Sequence, residues 1–328
     1  MRARIDIRLV LLVLAFAAVA ALPMLTSERY VLRVFTFTGV NVIIIAGMAL
    51  LFGYAGQVSL GHAAFYGIGA YTCAFAVMQL GWPWLGGVAL AVALTATGGF
   101  LLAIPSLRLK GHYLAMATLG FGEIMRVAFV EARGITGGPD GLAGIPHAAV
   151  GPLLFDSARD AYWLVWAVAA IVLLLAANLV NSRAGRAMRA LHGSELGAIA
   201  CGIDITGVKV RVFVISAALA GLAGALYAHV VGFVSPSTFS LHVSVLLVAM
   251  TVLGGTGSLV GPVISTVVLS LIPYIDAVVP GISRTALETI QKWEEDIYGL
   301  TIIAVMVFMP GGIGALIRKY TGKRGAAS

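Results

Sequence analysis

Charged residues are scarce in this chain of 328 residues, where Asp, Glu, Lys and Arg together make up 11% of the sequence. Soluble globular proteins carry about 25%. Hydrophobic residues account for 60%, so the chain lacks the polar surface that would cover a water-soluble domain of this length. Intrinsic disorder is excluded as well, because it requires low hydrophobicity. The composition therefore predicts a membrane protein.

Cysteine and the common catalytic motifs are also scarce or missing. Cys73 lies in an apolar run and Cys201 in a polar segment, so the two are not expected to pair, and no Cys/His cluster has zinc-site spacing. The patterns G-x-x-x-x-G-K-[ST], G-x-S-x-G and H-E-x-x-H do not occur, which argues against a P-loop and against common hydrolase sites. We therefore expect no enzymatic activity, metal or cofactor in this chain.

The apolar runs predict about ten membrane-spanning helices, because a bilayer core of about 30 Å is crossed by roughly 20 apolar helical residues. The predicted fold is thus all-α, a polytopic membrane protein in which residues 1–328 form a single transmembrane domain. The predicted spans are residues 9–25, 32–52, 61–80, 84–104, 112–131, 162–180, 211–233, 243–256, 259–279 and 298–317.

The distribution of basic residues predicts that both termini are cytoplasmic. With the N-terminus inside, all but seven of the 21 Lys and Arg residues fall in cytoplasmic segments, as the positive-inside rule requires. The net charge of +7 is explained in this way without nucleic-acid binding. The basic residues assigned to the outside are Arg29, Arg33, Arg126, Arg133, Arg159, Arg284 and Lys292.

The N-terminal segment has two interpretations. The arginines at positions 2, 4 and 8 and the small residues at 18–20 fit a cleavable signal peptide. The apolar run continues to Leu25, which fits an uncleaved first span. Both interpretations leave the later loops on the same sides of the membrane.

Residues 53–62, GYAGQVSLGH, form a first interrupted segment in an otherwise apolar stretch. Gln57, Ser59 and His62 bring polar groups that hydrocarbon would penalise. The segment is either a broken helix lining a substrate path, or a cytoplasmic turn in which Gln57 and Ser59 are hydrated and His62 caps the next helix. The small residues at 59, 63 and 67 also predict close helix packing.

Residues 253–262, LGGTGSLVGP, form a second interrupted segment. Gly254 and Gly257 are candidate path residues there, because paired interrupted helices surround the central site in many transporters. The two interrupted segments do not fall at equivalent places in a five-plus-five division of the spans, so no internal repeat is predicted. The seventh span carries two stripes of small residues that predict helix packing: Ala217, Gly221 and Ala225, and Ala220, Gly224 and Ala228.

The longest cytoplasmic segment, residues 181–211, carries apolar residues at helical intervals and is predicted to form a short helix along the inner face. Gly202 is expected to end it. Arg186, Arg189 and Glu195 would lie on this helix, which either docks a soluble partner or rests on anionic lipid.

Three further features concern the outer side. Residues 132–161 are rich in Gly and Pro and predict an ordered, turn-rich loop. Residues 282–297 predict an amphipathic helix at the outer interface. Glu123 and Arg126, three residues apart on the fifth span, predict an ion pair on one helix face, with either a functional role or a structural one near the outer interface.

These residues together resemble the branched-chain amino acid ABC transporter permeases. The resemblance runs in order over most of the chain and favours the M-type over the shorter H-type subunit. It is carried by GYAGQVSLGHAAFYGIGAYT at 53–72, RLKGHY at 108–113, GPDGL at 138–142, GRAMRA at 185–190, the small-residue run at 213–228 and VLGGTGS at 252–258.

The resemblance implies one permease domain, working with an H-type permease, two cytoplasmic ATPases that hydrolyse ATP and a periplasmic binding protein, in the bacterial inner membrane. It also implies that residues 186–204, with Arg186, Arg189, Glu195 and Gly202, contain the helix that couples to an ATPase. The general importer pattern E-A-A-x-x-x-G is not matched literally, because Leu196 and Gly197 follow Glu195. Urea or simple-sugar ABC permeases and an ion-coupled secondary transporter remain alternatives.

Overall fold

A computed structural model describes residues 28–106, 111–151 and 153–277, together with Pro23 and eight isolated positions between 292 and 312. The predicted first and tenth spans, the predicted outer helix at 282–297 and the basic residues Arg108 and Lys110 fall outside the described residues, apart from isolated positions. The remaining predictions can be compared with the structure directly.

Helices dominate the described part of the chain. They are α1 Arg29–Met48, α2 His62–Met78, α3 Trp84–Ser106, α4 His112–Glu131, α5 Arg133–Thr136, α6 Ala158–Asn181, α7 Arg183–Gly193, α8 Glu195–Ala200, α9 Ile205–Val231, α10 Leu241–Gly254 and α11 Val260–Leu271. A π-helical turn, Ala49–Tyr54, extends α1, and 3-10 turns form at Gly138–Asp140, Pro236–Phe239 and Ile272–Ala277. The strands are β1 Leu142–Ala143, β2 Ala149–Val150, β3 Leu153–Leu154 and β4 Phe233–Val234.

Among the described residues, five helices are long and apolar enough to cross a membrane: Arg29–Tyr54, Trp84–Pro105, His112–Glu131, Ala158–Asn181 and Ile205–Val231. Three shorter apolar helices, His62–Met78, Leu241–Gly254 and Val260–Tyr274, complete the set. Each of these eight helices coincides with a predicted span. The structure is therefore that of an all-α membrane protein.

Polar caps explain where several helices begin. Ser157, Ser182 and Ser194 each accept a backbone N–H at the start of the following helix, which satisfies an otherwise unpaired donor. Asp204 does the same for α9, with its Oδ1 accepting from the Gly207 N–H at 3.0 Å. This cap makes α9 start about six residues earlier than the apolar run predicted.

The segment between α6 and α9 forms two helices, α7 and α8, where the periodicity predicted one. Ser194 separates them with an extended backbone and caps α8 through the Gly197 N–H at 3.1 Å. A cap competes with continuation of the helix because its side chain offers the backbone another partner. The prediction of a single helix was thus wrong, while Gly202, with a φ of +73°, ends α8 as expected.

Two helices occupy the centre of the bundle. Helix α9 packs against α1, α2 and α3, and α1 packs on its other sides against α6, α10 and α11. Isoleucines 43, 44 and 45 of α1 have no exposed surface, so α1 is buried all round rather than amphipathic.

The crossing of α2, α3 and α9 depends on missing side chains. A Cβ on Gly69 would overlap the backbone of Gly221, and one on Gly221 would overlap the Thr95 side chain. On the neighbouring stripe, a Cβ on Gly224 would overlap the Tyr66 carbonyl. Small residues let helix backbones approach and gain van der Waals contact in lipid. The predicted packing role of both stripes is confirmed.

The loop between α4 and α6 is ordered, as its turn residues predicted. Strand β1 pairs antiparallel with β4, and β2 pairs with β3. The His229 Nδ1 lies 2.7 Å from the Pro146 carbonyl oxygen, which attaches the loop to the last turn of α9. This end of the bundle is opposite to α7 and α8, because α9 runs from one end to the other.

Candidate functional site

The first interrupted segment is buried, although it is not helical. The π-helical turn leads into residues 55–61, where Gln57 is 6% exposed and Ser59 and His62 are 0% exposed. The interpretation of a hydrated turn was therefore wrong for these side chains. His62 is the first residue of α2 and does not cap it, since Gly61 occupies the cap position.

His62 connects this segment to the central helix. Its Nδ1 lies 2.9 Å from the Ser59 Oγ, and its Nε2 lies 2.7 Å from the Ser216 Oγ on α9. Buried polar groups need such partners because an unpaired one costs free energy. Nothing in the sequence spacing could have paired His62 with Ser216, which is 154 residues away.

The second interrupted segment meets the first. The Gly257 N–H donates to the Gly53 carbonyl oxygen at 3.0 Å. Gly257 has a φ of +72°, a left-handed conformation that glycine adopts without a Cβ penalty. The structure thus joins two segments that were predicted separately as candidate path linings.

The five predicted path residues differ in their surroundings. Gly257 is exposed, whereas Gln57, Ser59, His62 and Gly254 are buried. A Cβ on Gly254 would overlap the Pro262 backbone, which gives Gly254 a packing role between α10 and α11. The stripe at 59, 63 and 67 also packs, since a Cβ on Gly67 would lie 2.5 Å from the Phe129 ring.

Helix α7 reaches the first interrupted segment directly. A Cβ on Gly56 would lie 2.8 Å from the His192 Nδ1 near the end of α7, and α7 also contacts the π-helical turn. Helix α7, the first interrupted segment and the second interrupted segment therefore form a continuous series of contacts. His192 was not among the predicted residues, because its spacing on α7 gives no signal of this contact.

The predicted coupling residues are only partly free for a partner. Arg189 donates through Nη1 to the Val180 carbonyl oxygen at 2.9 Å, and Lys209 donates to the Glu195 Oε1 at 2.6 Å. Arg186 is exposed and Gly202 ends α8. The most exposed apolar side chains of the segment are Leu196 at 80% and Ile199 at 59%, both on α8.

A separate polar site lies on α4. Arg126 Nε donates to Glu123 Oε2 at 2.8 Å, which confirms the predicted ion pair. Glu123 also lines a pocket with two serines from the connection to α10 and its first turn, Ser240 and Ser244. The serines lie more than 100 residues along the chain from Glu123, so the sequence gave no reason to group them with it.

No group of three or more His, Cys, Asp or Glu that could hold a metal ion is found within the described residues.

Comparison with known sequences decides the family. Residues 30–308 match the family described as the branched-chain amino acid transport system permease component. The high-affinity branched-chain amino acid transport system permease protein LivM of Salmonella typhimurium is 33% identical, over 95% of this chain and 76% of the relative. LivM of Escherichia coli is 32% identical, over 94% and 74%. The chain belongs to this permease family.

A more distant relative of the permease is the autoinducer 2 import system permease protein LsrC of Yersinia pseudotuberculosis. It is 23% identical, over 88% of this chain and 80% of the relative. No solved structure matches the chain. The family match covers all the described helices except the first residue of α1, and thus both interrupted segments and the segment between α6 and α9.

Proposed function

We propose that this permease is the membrane-spanning M-type subunit of an ABC importer for branched-chain amino acids. Its similarity to two LivM proteins over nearly the whole chain supports this function. The similarity to LsrC is weaker, and no feature of the described residues favours urea, a sugar or an ion-coupled mechanism.

The proposed assembly contains an H-type permease, two cytoplasmic ATPases and a periplasmic binding protein. The ATPases hydrolyse ATP, and the permease itself carries no catalytic site or cofactor. It lies in the bacterial inner membrane among lipids, forms one domain of ten spans with both termini cytoplasmic, and binds no nucleic acid. The basic-residue distribution supports this orientation, and the coincidence of eight apolar helices with predicted spans supports the count.

The contact series from α7 to the two interrupted segments is the observation that carries the mechanism. His192 abuts Gly56, and Gly53 accepts a hydrogen bond from Gly257. A rigid-body displacement of α7 by an ATPase would therefore reach both interruptions without an intermediate element. Packed elements transmit such displacements because their interiors are dense and hardly compressible. Opening of the path would follow ATP-driven movement at the cytoplasmic end.

The exposed face of α8 is the proposed ATPase contact. Leu196 and Ile199 are apolar and exposed, whereas Arg189 and Glu195 are engaged inside the chain. Burial of a leucine side chain contributes about 2 kcal/mol to an interface. Arg186 remains available beside this face, and Arg189, Glu195 and Gly202 are proposed to fix its geometry.

Co-expression of the tagged permease with its partner subunits tests this function. The purified complex should contain the second permease and the ATPases, and cells carrying it should accumulate labelled leucine, isoleucine and valine. Leu196→Glu should remove the ATPases from the complex and reduce uptake about tenfold or more, by the lost burial and the added charge.

Ile135→Glu is the matched control, because Ile135 is also an exposed apolar residue but lies at the other end of the bundle. It should retain both the ATPases and uptake. Leucine uptake by Leu196→Glu equal to that of the unmodified complex would contradict the assigned contact, and a complex without ATPases that still imports leucine would contradict the ABC function.

A further inference from the structure

Three helices present an exposed apolar face in the described part of the chain, and they differ in charge. Helix α3 exposes Leu101 and Ile104, and α6 exposes Leu174 and Leu175. Helix α4 exposes Met116, Ile124 and Val127 as well, but its surface also carries Glu123 and Arg126, 39% and 44% exposed at their side chains. The faces of α3 and α6 are suited to lipid, whereas that of α4 is mixed.

The charged pair lies deep within the span. Glu123 is the twelfth of the 20 residues of α4, which places it about 2 Å along the axis from the helix midpoint. Charged residues at this depth cost several kcal/mol in hydrocarbon and face the interior of a bundle or a water-filled cavity. The predicted position near the outer interface is thus wrong for a helix that crosses the membrane along its whole length. This face of α4 is therefore expected to line an aqueous space.

The pocket beside the pair combines polar and apolar walls. Glu123 lines it together with Ser240 and Ser244, and Leu119, Phe239 and Leu241 add apolar surface. Ser244 Oγ already accepts the Ala63 N–H at 3.0 Å, which fixes this wall against α2. The pocket therefore places one carboxylate, a rigid hydroxyl group and branched or aromatic apolar side chains within a small space.

We propose that Glu123, Arg126 and this pocket form a contact site for the zwitterionic head and the apolar side chain of an α-amino acid during translocation. Glu123 binds the substrate ammonium group, Arg126 binds its carboxylate, and the apolar wall receives its side chain. In the empty permease the two charges neutralise each other at 2.8 Å, so exchange for a zwitterion conserves the number of ion pairs. This assignment deepens the proposed import of branched-chain amino acids and rests on it.

Transport by the complete complex in proteoliposomes tests the site. The permease is reconstituted with its partner permease and ATPases, and labelled leucine is supplied on the binding protein. Glu123→Gln and Arg126→Gln should each lower leucine uptake about tenfold, because each loses a charge-assisted hydrogen bond. ATP hydrolysis stimulated by the loaded binding protein should change less than about twofold, because neither residue contacts the coupling helices. Arg126→Lys should restore part of the uptake.

A labelling experiment that leaves the ion pair intact tests water access. In a Cys201→Ser background, Val127→Cys places a thiol beside the pair on α4, and Leu174→Cys places a matched thiol on α6. A membrane-impermeant thiol reagent should modify residue 127 much faster than residue 174, and excess leucine on the binding protein with ATP should slow the reaction at residue 127. This measurement applies even where Glu123→Gln reduces the yield of the complex.

The outcomes separate the two proposals. An unmodified complex that imports no branched-chain amino acid would overturn the proposed function and this site together. An active unmodified complex would overturn the site alone if the Glu123→Gln variant imported leucine normally. Equal modification rates at residues 127 and 174 would do the same, because α4 would then face lipid.

Discussion

In the crossing of α2, α3 and α9, glycine lies inside regular helices, whereas in the two interrupted segments it lies where helices end. At the crossing the absent Cβ atoms of Gly69 and Gly221 let backbones touch. At the interruptions Gly257 takes a left-handed conformation and its N–H bonds to the Gly53 carbonyl. The same residue type thus supplies rigid packing in one region and a change of chain direction in the other.

The difference follows from spacing. Glycines and alanines four residues apart lie on one helix face and form a groove, while GGTG at 254–257 places glycines too densely for a stable helix, since each glycine costs about 1 kcal/mol relative to alanine. Rigid packing is needed where helices hold the bundle together. The interrupted segments lie where α7 contacts the bundle and where movement is proposed.

The largest expected effect is at the crossing. Gly69→Ala should destabilise the permease by about 3 kcal/mol, because α2 and α9 must separate to admit the Cβ. Thermal unfolding in detergent and the yield of monodisperse protein measure this loss. Gly120→Ala on α4 is the control, because a Cβ there meets nothing within 4 Å, and it should be neutral or stabilising by up to about 1 kcal/mol. Equal losses in both variants would break the comparison.

The next effect concerns the bond between the two regions. Ser216→Ala leaves the His62 Nε2 without its partner at 2.7 Å, which should cost about 1–3 kcal/mol. Thr97→Ala on α3 removes a hydroxyl that bonds only within its own helix, to the Ala93 carbonyl, and should cost much less. If thermal unfolding shows the same shift for both, His62 does not tie the first interrupted segment to α9.

A smaller effect on stability is expected at the second interrupted segment. Gly257→Ala should cost about 1–2 kcal/mol, because alanine is strained at the φ of Gly257, and it should reduce leucine uptake more than it reduces the yield of protein. Gly257→Asn should retain more uptake, since asparagine tolerates left-handed backbone better. Equal uptake by both variants would show that the conformation of Gly257 is not required.

The smallest effect is expected where the segment after α6 joins α9. The Lys209–Glu195 pair is 2.6 Å long with the Glu195 side chain 35% exposed, and partly exposed pairs contribute about 0.2–1 kcal/mol. A double-mutant cycle with Lys209→Gln and Glu195→Gln measures the coupling free energy. A value well above this range would mean that α8 is fixed to α9 and would argue against its movement.

Much of the fold could be predicted from the sequence, because hydrocarbon forces every spanning segment to satisfy its own backbone. Eight predicted spans coincide with apolar helices, and the small-residue stripes of α9 pack as expected. The prediction failed where a single polar side chain outweighed the apolar period. Ser194 divided one predicted helix into two, and Asp204 moved the start of α9.

The candidate site was predicted less well. Sequence motifs identified both interrupted segments, but they left open whether Gln57 and Ser59 were hydrated. They also assigned Arg189 and Glu195 to a partner, whereas both make contacts within the chain. These errors share a cause, since whether a polar side chain is buried or exposed depends on residues far away along the chain.

The sequence by itself determined the membrane class, the helical spans, the family resemblance and the residues at which helices are interrupted. Each of these follows from composition or from patterns over a few turns. Only the tertiary structure decided that Gly53 meets Gly257, that His62 binds Ser216 and that Glu123 shares a pocket with Ser240. Such contacts join residues more than 100 positions apart, and their geometry is set by how close the helices can pack.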